Sequence, residues 1–418
     1  PVQVLQCHYR SRHEALIAFS NHHFYEDELT TFPSPASGGA PVGWRRVDGR
    51  FRRRGSEVPE GETAESWPVG TNVIEAHAVV DEIVERVREA APSLPSIGVV
   101  TSNLPQRELI RDLLAQLDDP VITTLLERDD DSSLLVQNLE NVQGDERDVI
   151  LMSIGFAPPV IVDSVTGVER RGRMPMNFGP LNQKGGERRL NVAVTRARAE
   201  IMVFCSFDPS EMAVGSDSPR GIQLLQAYLA AARDGAGSSG DVVGRAPAPL
   251  DRYRSEIAAA IRNCGYEVVE DIGLSRFRVD LGVSKPGAEG HRVAVLLDGP
   301  GWADRSRAYD RDVLPRTVLS KLMGWPVVVR IWLPMWLSAR NDVLLSIEAA
   351  LAEPATGAKT GTEPAVEVPE RSHAAQVIDL PVVVPSANIT PAGWADDTAP
   401  AAPPSIAVAA HPAVGPAT

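Results

Sequence analysis

At 418 residues, 43% hydrophobic, the chain can hold two ordinary domains with extensions. It has no apolar run of the roughly 20 residues needed to cross a bilayer, no N-terminal signal pattern, and three scattered cysteines with neither metal-ligand spacing nor a disulfide framework. These 418 residues thus hold no apolar run long enough for a spanning helix and no disulfide framework, and a cytoplasmic protein is expected. The net charge of −14 excludes any general attraction to nucleic acid, so such contact would need a local patch. The acid excess is concentrated early: residues 1–234 carry 24 Lys+Arg against 34 Asp+Glu, whereas residues 235–350 carry 15 against 14. Lysine is scarce beside arginine, with much Ala, Val and Gly, which suggests a GC-rich bacterial genome.

In chain order, Val2 to Leu5 reads as a strand, and Arg10 and Arg12 precede a helix from Glu14 to His22. Residues 36–66, rich in Gly, Pro and charge, read as an insertion, a hairpin turning at Asp48-Gly49. Five arginines between Arg45 and Arg53, with Trp44 and Phe51 interleaved, suit either a solvated hairpin or contact with a nucleic-acid backbone. An amphipathic helix follows over Asn72 to Ala90, then a strand at Ile97 to Thr101 and a helix over Leu104 to Leu117. Further strands fall at Leu134 to Val136, Val149 to Ile154 and Ile201 to Cys205, and a last helix covers Arg220 to Arg233. This alternation predicts an α/β fold with a parallel sheet covered by helices on both faces. The run GAGSSG marks a flexible linker over 235–246. A second unit, 247–350, alternates helix, three strands, helix and strand. Residues 351–418, rich in Ala, Pro and Thr, are expected to be disordered, with one apolar patch at Val377 to Val384.

Chemistry concentrates in GGERRLNVAVTRARAE, Gly185 to Glu200, a short helix running into a strand. Leu190, Val194 and Ala197 recur at helical spacing and can face a core, and Arg189 and Arg196, seven apart, are expected on one face. Arginine clamps phosphate because its planar fork is always charged. Upstream, VQNLENVQGDERDVILMSI places Gln143, Gly144 and Glu146 before a buried strand, and QCHYRSRHEALIAF supplies Arg10.

These three segments, in this order, resemble motifs IV, V and VI of superfamily 1 helicases, in the branch that includes the nonsense-mediated-decay helicase. There the motifs read roughly QYRMHP, QGxExD and RRLNVAxTRAR. His8-Tyr9-Arg10 stands for Gln-Tyr-Arg, and Glu14 replaces the proline. The resemblance covers about residues 1–234 and implies a second RecA-like domain. It further implies that Arg10 and Arg196 contact ATP phosphates, with Arg189 as a third catalytic arginine, that Gln143 and Gly144 couple nucleotide to nucleic acid, and that Glu146 holds the ribose. A RecA-type motor also needs a phosphate loop of the form GxxxxGK(S/T) and an acidic Mg²⁺ site. None of the four lysines, Lys184, Lys285, Lys321 and Lys359, fits such a loop. The expectation is therefore the C-terminal part of a larger helicase or a split gene product. It would share ATP and Mg²⁺ with a first motor domain supplied upstream or by a separate chain, and would act on nucleic acid, DNA rather than RNA.

In the second unit, strands are expected to end in Asp280 and Asp298, a carboxylate pair able to share Mg²⁺, with Glu256 as a further partner. FRVDLGV, the LLDG turn, Asp310-Arg311-Asp312 and GWPVVVRIWLPMWL resemble the restriction-endonuclease-like fold, specifically its very-short-patch-repair type. Relatives of that type read IECDG and then YH. Here Leu296 stands at the acidic position and Ala303 at the histidine position. A degenerate, non-cleaving nuclease fold is expected, with an active Mg²⁺ endonuclease or a non-enzymatic binding module as alternatives. The tryptophans Trp302, Trp325, Trp332 and Trp336 are expected in the core or an interface.

Overall fold

The computed structural model describes residues 7–8, 10–36, 41–56, 58, 63–89, 94–142, 144–163, 168–235, 251–352 and 376–379. The expected strand Val2 to Leu5, Tyr9, Gln143, the linker from residue 236 and nearly all of the 351–418 tail lie outside them. The first part runs α1 (Ala15–Phe24), β1 (Val42–Arg46), α2 (Val73–Glu89), β2 (Ile97–Thr101), α3 (Leu104–Ala115), α4 (Pro120–Glu127), β3 (Leu135–Asn138) and β4 (Arg147–Ser153). Next come a strand pair, β5 (Val160–Val162) and β6 (Glu169–Arg171), then α5 (Gly186–Val194), β7 (Ala197–Cys205) and α6 (Arg220–Asp234).

Five strands form a wholly parallel sheet in the order β1-β7-β4-β2-β3. All of β2 and nearly all of β4 are buried, as strands covered on both faces must be. One face packs on α2, α3 and α4 through Val79, Ile83, Ile110 and Ile122. The other packs on α1, α5 and α6 through Leu16, Leu190 and Leu225. The fold class expected from the alternating pattern is therefore the observed one.

Two local expectations are corrected. There is no hairpin at Asp48-Gly49: β1 pairs in parallel with β7 as an edge strand of the main sheet. Gly49 lies against the Asn72 side chain, where a Cβ would come within 2.2 Å of its amide oxygen. A glycine that reads as a turn signal thus serves close packing. The arginine helix also ends at Val194, and β7 begins at Ala197. Arg189 and Arg196 therefore do not share a helix face, and Ala197 is buried as a strand residue.

The second part runs α7 (Arg252–Asn263), β8 (Glu267–Ile272), β9 (Val279–Ser284), β10 (Val293–Leu297), α8 (Pro300–Ala303), α9 (Leu314–Lys321), β11 (Val327–Ile331), α10 (Leu333–Ser338), α11 (Arg340–Ala352) and β12 (Gln376–Asp379). Its sheet, β12-β11-β10-β9-β8, is mixed: β8, β9 and β10 pair antiparallel, whereas β10, β11 and β12 pair parallel. On one face α7 and α11 bury Ile257, Ile261, Val343 and Ile347 against Leu281, Val295 and Val329.

The other face is completed by the first part of the chain. Phe32 joins Phe277, Leu296, Leu319, Trp325 and Val328 in one buried cluster, its ring 4.5 Å from that of Phe277. The strap around it is hydrogen-bonded throughout. The Thr31 N–H donates to Ser275 Oγ at 2.9 Å, and that hydroxyl donates back to the Thr31 carbonyl at 3.0 Å. The Trp325 indole N–H donates to the Pro33 carbonyl at 2.7 Å, and the His291 N–H to that of Pro35 at 2.6 Å.

Candidate functional site

Adjacent parallel strands bring their starts together. Arg147 of β4 lies opposite Ala197 of β7, so the preceding residues, Glu146 and Arg196, come to the same end of the sheet. The loop before α1 adds Arg10, whose Nε lies 2.6 Å from Glu146 Oε1. Arg198 Nε is 3.9 Å from the other carboxylate oxygen. The loop is stitched to β7: the Arg12 N–H donates to the Arg198 carbonyl at 2.6 Å, and the Arg12 guanidinium pairs with Asp148 at 3.2 Å. His8, whose pKa burial and then Arg10 lower to about 4, is neutral and accepts the Ser11 N–H at 3.2 Å.

Arg196 uses its Nε to donate to the Val192 carbonyl at 2.8 Å, which leaves its terminal nitrogens for an anion. Burial first, then the positive charge of Arg10, lowers its pKa, but a guanidinium stays charged. Arg10, Arg196 and Arg198 thus gather around Glu146, with Asp145 also near Arg196 and Asp131 4.0 Å from Arg198, so the charges largely balance and it is the terminal nitrogens of Arg196 that remain open to a polyphosphate. Glu146 is already engaged by Arg10, so a sugar hydroxyl would have to compete for it. Gly144 adopts φ +101°, a conformation side chains resist. Arg189 donates instead to the Pro180 carbonyl at 3.4 Å, bracing the loop before its own helix.

The structure thus gathers Arg10, Glu146 and Arg196, which lie far apart in the sequence. Sequence reasoning missed Arg198, although Arg196 and Arg198 are two apart where a strand begins, a spacing that puts both on one side. It also missed Arg12 with Asp148, for which no sequence signal existed.

In the second sheet, Asp280 does not end its strand. It is the second residue of β9, and antiparallel pairing carries it beside the end of β10, which Asp298 follows. The Leu297 N–H donates to Asp280 Oδ2 at 2.8 Å. Burial pushes the Asp280 carboxyl up to about 6, against the opposing pull of that N–H and of Arg254. Asp298 accepts the Leu333 N–H at 2.9 Å at the start of α10. The Tyr253 phenol is raised by burial and then by the charge of Asp298, which places it beside this pair. Glu256 is bound to the Trp336 indole at 3.2 Å and to Arg340 at 3.1 Å. Leu296 is buried in the cluster with Phe32 and Trp325, a packing position.

Trp325 and Trp336 are fully buried, while the Trp302 indole donates to Asp312 at 2.8 Å beneath Arg311. Among the described residues no group of three His, Cys, Asp or Glu side chains is placed to hold a metal ion. Mg²⁺ wants several hard oxygen ligands, whereas Asp280 faces the positive charges of Arg254 and Arg330 and Leu296 offers no oxygen.

Residues 1–208 match a family described as AAA domain, and residues 253–351 match one designated REase_MTES_1575, a restriction-endonuclease label. Over 363 residues the chain is 29% identical to the "Uncharacterized ATP-dependent helicase MG140" of Mycoplasma genitalium, a match covering 84% of this chain and 30% of that protein. The homologue in Mycoplasma pneumoniae is 28% identical over 364 residues, again 83% of this chain and 30% of the relative. The chain therefore spans about 30% of the length of the curated relatives it matches. Among the described residues, no helix is long and apolar enough to cross a membrane.

Proposed function

We propose that this chain, in which an AAA helicase-like domain is followed by a restriction-endonuclease-type domain, is the second half of an ATP-dependent nucleic-acid motor. The observation that carries this reading is the convergence of Arg10, Glu146 and Arg196 at the starts of β4 and β7. Residues 1–234 serve as the second RecA-like domain and 247–350 as the endonuclease-fold domain. Arg196 and Arg10 act on the phosphates of ATP held by a first motor domain, which supplies the phosphate loop and Mg²⁺ site in cis or from a separate chain. Bound ATP supplies a phosphoryl group whose transfer builds negative charge, and the Arg196 terminal nitrogens are free to meet that charge. Glu146 orients Arg10 in the absence of nucleotide and accepts from the ribose in its presence. Gln143 and Gly144 link this end of the sheet to nucleic acid, DNA rather than RNA, in the cytoplasm, and Arg189 holds the supporting loop.

The endonuclease-fold domain is accessory and does not cleave. Support for this comes from the surroundings of Asp280 and from Leu296, which packs in the core and offers no ligand.

The reading is tested by joining the chain to a phosphate-loop motor domain and measuring nucleic-acid-stimulated ATP hydrolysis. Activity dependent on Arg196 is expected. Wild-type turnover unchanged in Arg196→Ala would overturn the assignment.

A further inference from the structure

Arg10 reaches Glu146 from a short loop, and that loop is held from two sides. Toward the first sheet, the Arg12 N–H donates to the Arg198 carbonyl at 2.6 Å, and the Ser11 hydroxyl to the Ala197 carbonyl at 3.5 Å. On the other side stands Glu14, the residue before α1. Its carbonyl accepts the N–H groups of Ile17 and Ala18, both at 3.0 Å, so its backbone opens the helix. Its side chain does not cap that helix, and the Ala15 N–H donates instead to His13 Nδ1 at 3.3 Å. The buried Glu14 carboxylate is turned to the endonuclease-type domain, where Oε2 accepts the Leu274 N–H at 3.0 Å. Its other oxygen accepts the Thr31 hydroxyl.

The loop that carries Leu274 is itself braced. Asp271 adopts φ +59°, a region that side chains other than glycine rarely occupy. Its carboxylate is held by Arg278 at 2.6 Å and Arg254 at 3.6 Å. Ser275 exchanges two hydrogen bonds with Thr31, at 2.9 and 3.0 Å. The Leu274 N–H is thus a fixed point for Glu14. Arg10 is half exposed, so packing alone does little to order it.

We infer that Glu14 is a positioning residue for Arg10, and that the endonuclease-type domain, through the Leu274 N–H, sets where the Arg10 guanidinium stands at the nucleotide end of the first sheet. The inference rests on the reading of Arg10 given above, and it gives the domain read as non-cleaving a part in the motor. A carboxylate that spans the two sheets transmits the placement of one to the other without touching nucleotide.

The test is residue-resolved hydrogen–deuterium exchange of the full chain. In Glu14→Ala the Ser11 and Arg12 amides should exchange about tenfold faster, the scale of losing one hydrogen bond to a charged group. Glu14→Gln should restore the wild-type rates, since its amide oxygen can accept from Leu274 while its NH₂ donates to the Thr31 hydroxyl. Glu14→Asp, one methylene shorter, reads the same amides if the alanine variant unfolds. Trp325→Phe removes the bond to the Pro33 carbonyl, loosening the same interface away from Glu14, and should leave those amides unchanged. Wild-type exchange in both Glu14→Ala and Glu14→Asp, or an equal rise in Trp325→Phe, would overturn the positioning role. In the form joined to a phosphate-loop motor domain, Glu14→Ala should lower kcat about tenfold with KM little changed, and should add nothing in an Arg10→Ala background. Additive losses would also overturn it. An Arg10→Ala variant with wild-type kcat overturns the nucleotide role of Arg10 instead, while the exchange rates decide the role of Glu14 separately.

Discussion

Glu14 accepts the backbone N–H of Leu274 at 3.0 Å, a bond between the start of α1 and the loop after β8. The same carboxylate accepts the Thr31 hydroxyl. Glu14 stands where the helicase motif it resembles has proline, and the structure gives the substitution a role. Four residues after Arg10, it ties the loop that carries Arg10 to the second sheet. The endonuclease-type domain is therefore packed onto the segment that positions Arg10.

Phe32→Ala is expected to cost about 3–5 kcal/mol, because it empties a fully packed position in the second cluster. Urea denaturation followed by tryptophan fluorescence measures it. Trp325 bonds to Pro33, so its environment should change in the same transition. A cost below about 1 kcal/mol would mean that the strap is not part of that core.

The chain by itself is expected to show no appreciable ATP hydrolysis, since the 418 residues contain no phosphate loop. In a form joined to such a loop, Arg196→Ala should lower the rate by roughly 10³–10⁵, the range for arginine fingers. Glu146→Ala should instead weaken nucleotide binding by roughly 1–3 kcal/mol if it accepts from the ribose. Steady-state kinetics beside nucleotide titration separates the two, and equal small effects would contradict the assigned roles.

Glu75 is fully buried at the far end of the first sheet, accepting from Gly155 N–H at 2.6 Å and the Ser206 and Ser153 hydroxyls at 2.6 and 2.8 Å. Burial raises its carboxyl from 4.5 to about 7, only partly offset by these donors. A carboxyl whose folded pKa is raised contributes stability that is fully present below its unfolded pKa and is lost as pH rises through the folded one. The contribution therefore falls by about 3 kcal/mol between roughly pH 4.5 and 7. Asp280 acts in the same direction over a lower window, as its carboxyl is raised from 3.8 to about 6. Urea midpoints at pH 5 and 8 should differ in wild type and differ less in Glu75→Gln. An unchanged difference would show that other groups carry it.

Plasmid nicking with Mg²⁺ or Mn²⁺ is expected to be absent, and Asp280→Ala should not alter that background. Leu296→Glu should not restore cleavage. It would bury an unpaired charge among Phe32, Phe277 and Trp325, at an expected cost of about 3–5 kcal/mol. Robust cleavage by wild type, lost in Asp280→Ala, would reverse the reading of this domain.

The sequence by itself determined the class of the first sheet, because apolar runs such as Ile97–Thr101 and the amphipathic Val73–Glu89 must be buried between layers whatever their neighbours. It also singled out Arg10, Glu146 and Arg196 through their local motifs, and the structure brings these three to one end of the sheet. It could not say that Arg10 would pair with Glu146, 136 residues away, or that Arg196 would leave the face that carries Arg189, because a helix that stops at Val194 redirects everything after it. Likewise, β1 read as a hairpin because its arginines and Gly49 look like a turn. Only pairing with β7, whose partner residues lie 159 positions later in the chain, makes it a sheet edge. The tertiary structure alone decided where Asp280 lies, since antiparallel pairing with β10 inverted the end of the strand that it occupies. It alone decided that Phe32 would complete a core built by residues 277–328. Local sequence specifies burial and periodicity, whereas which distant segment fills a given face depends on closing the chain, a choice that no window of neighbouring residues encodes.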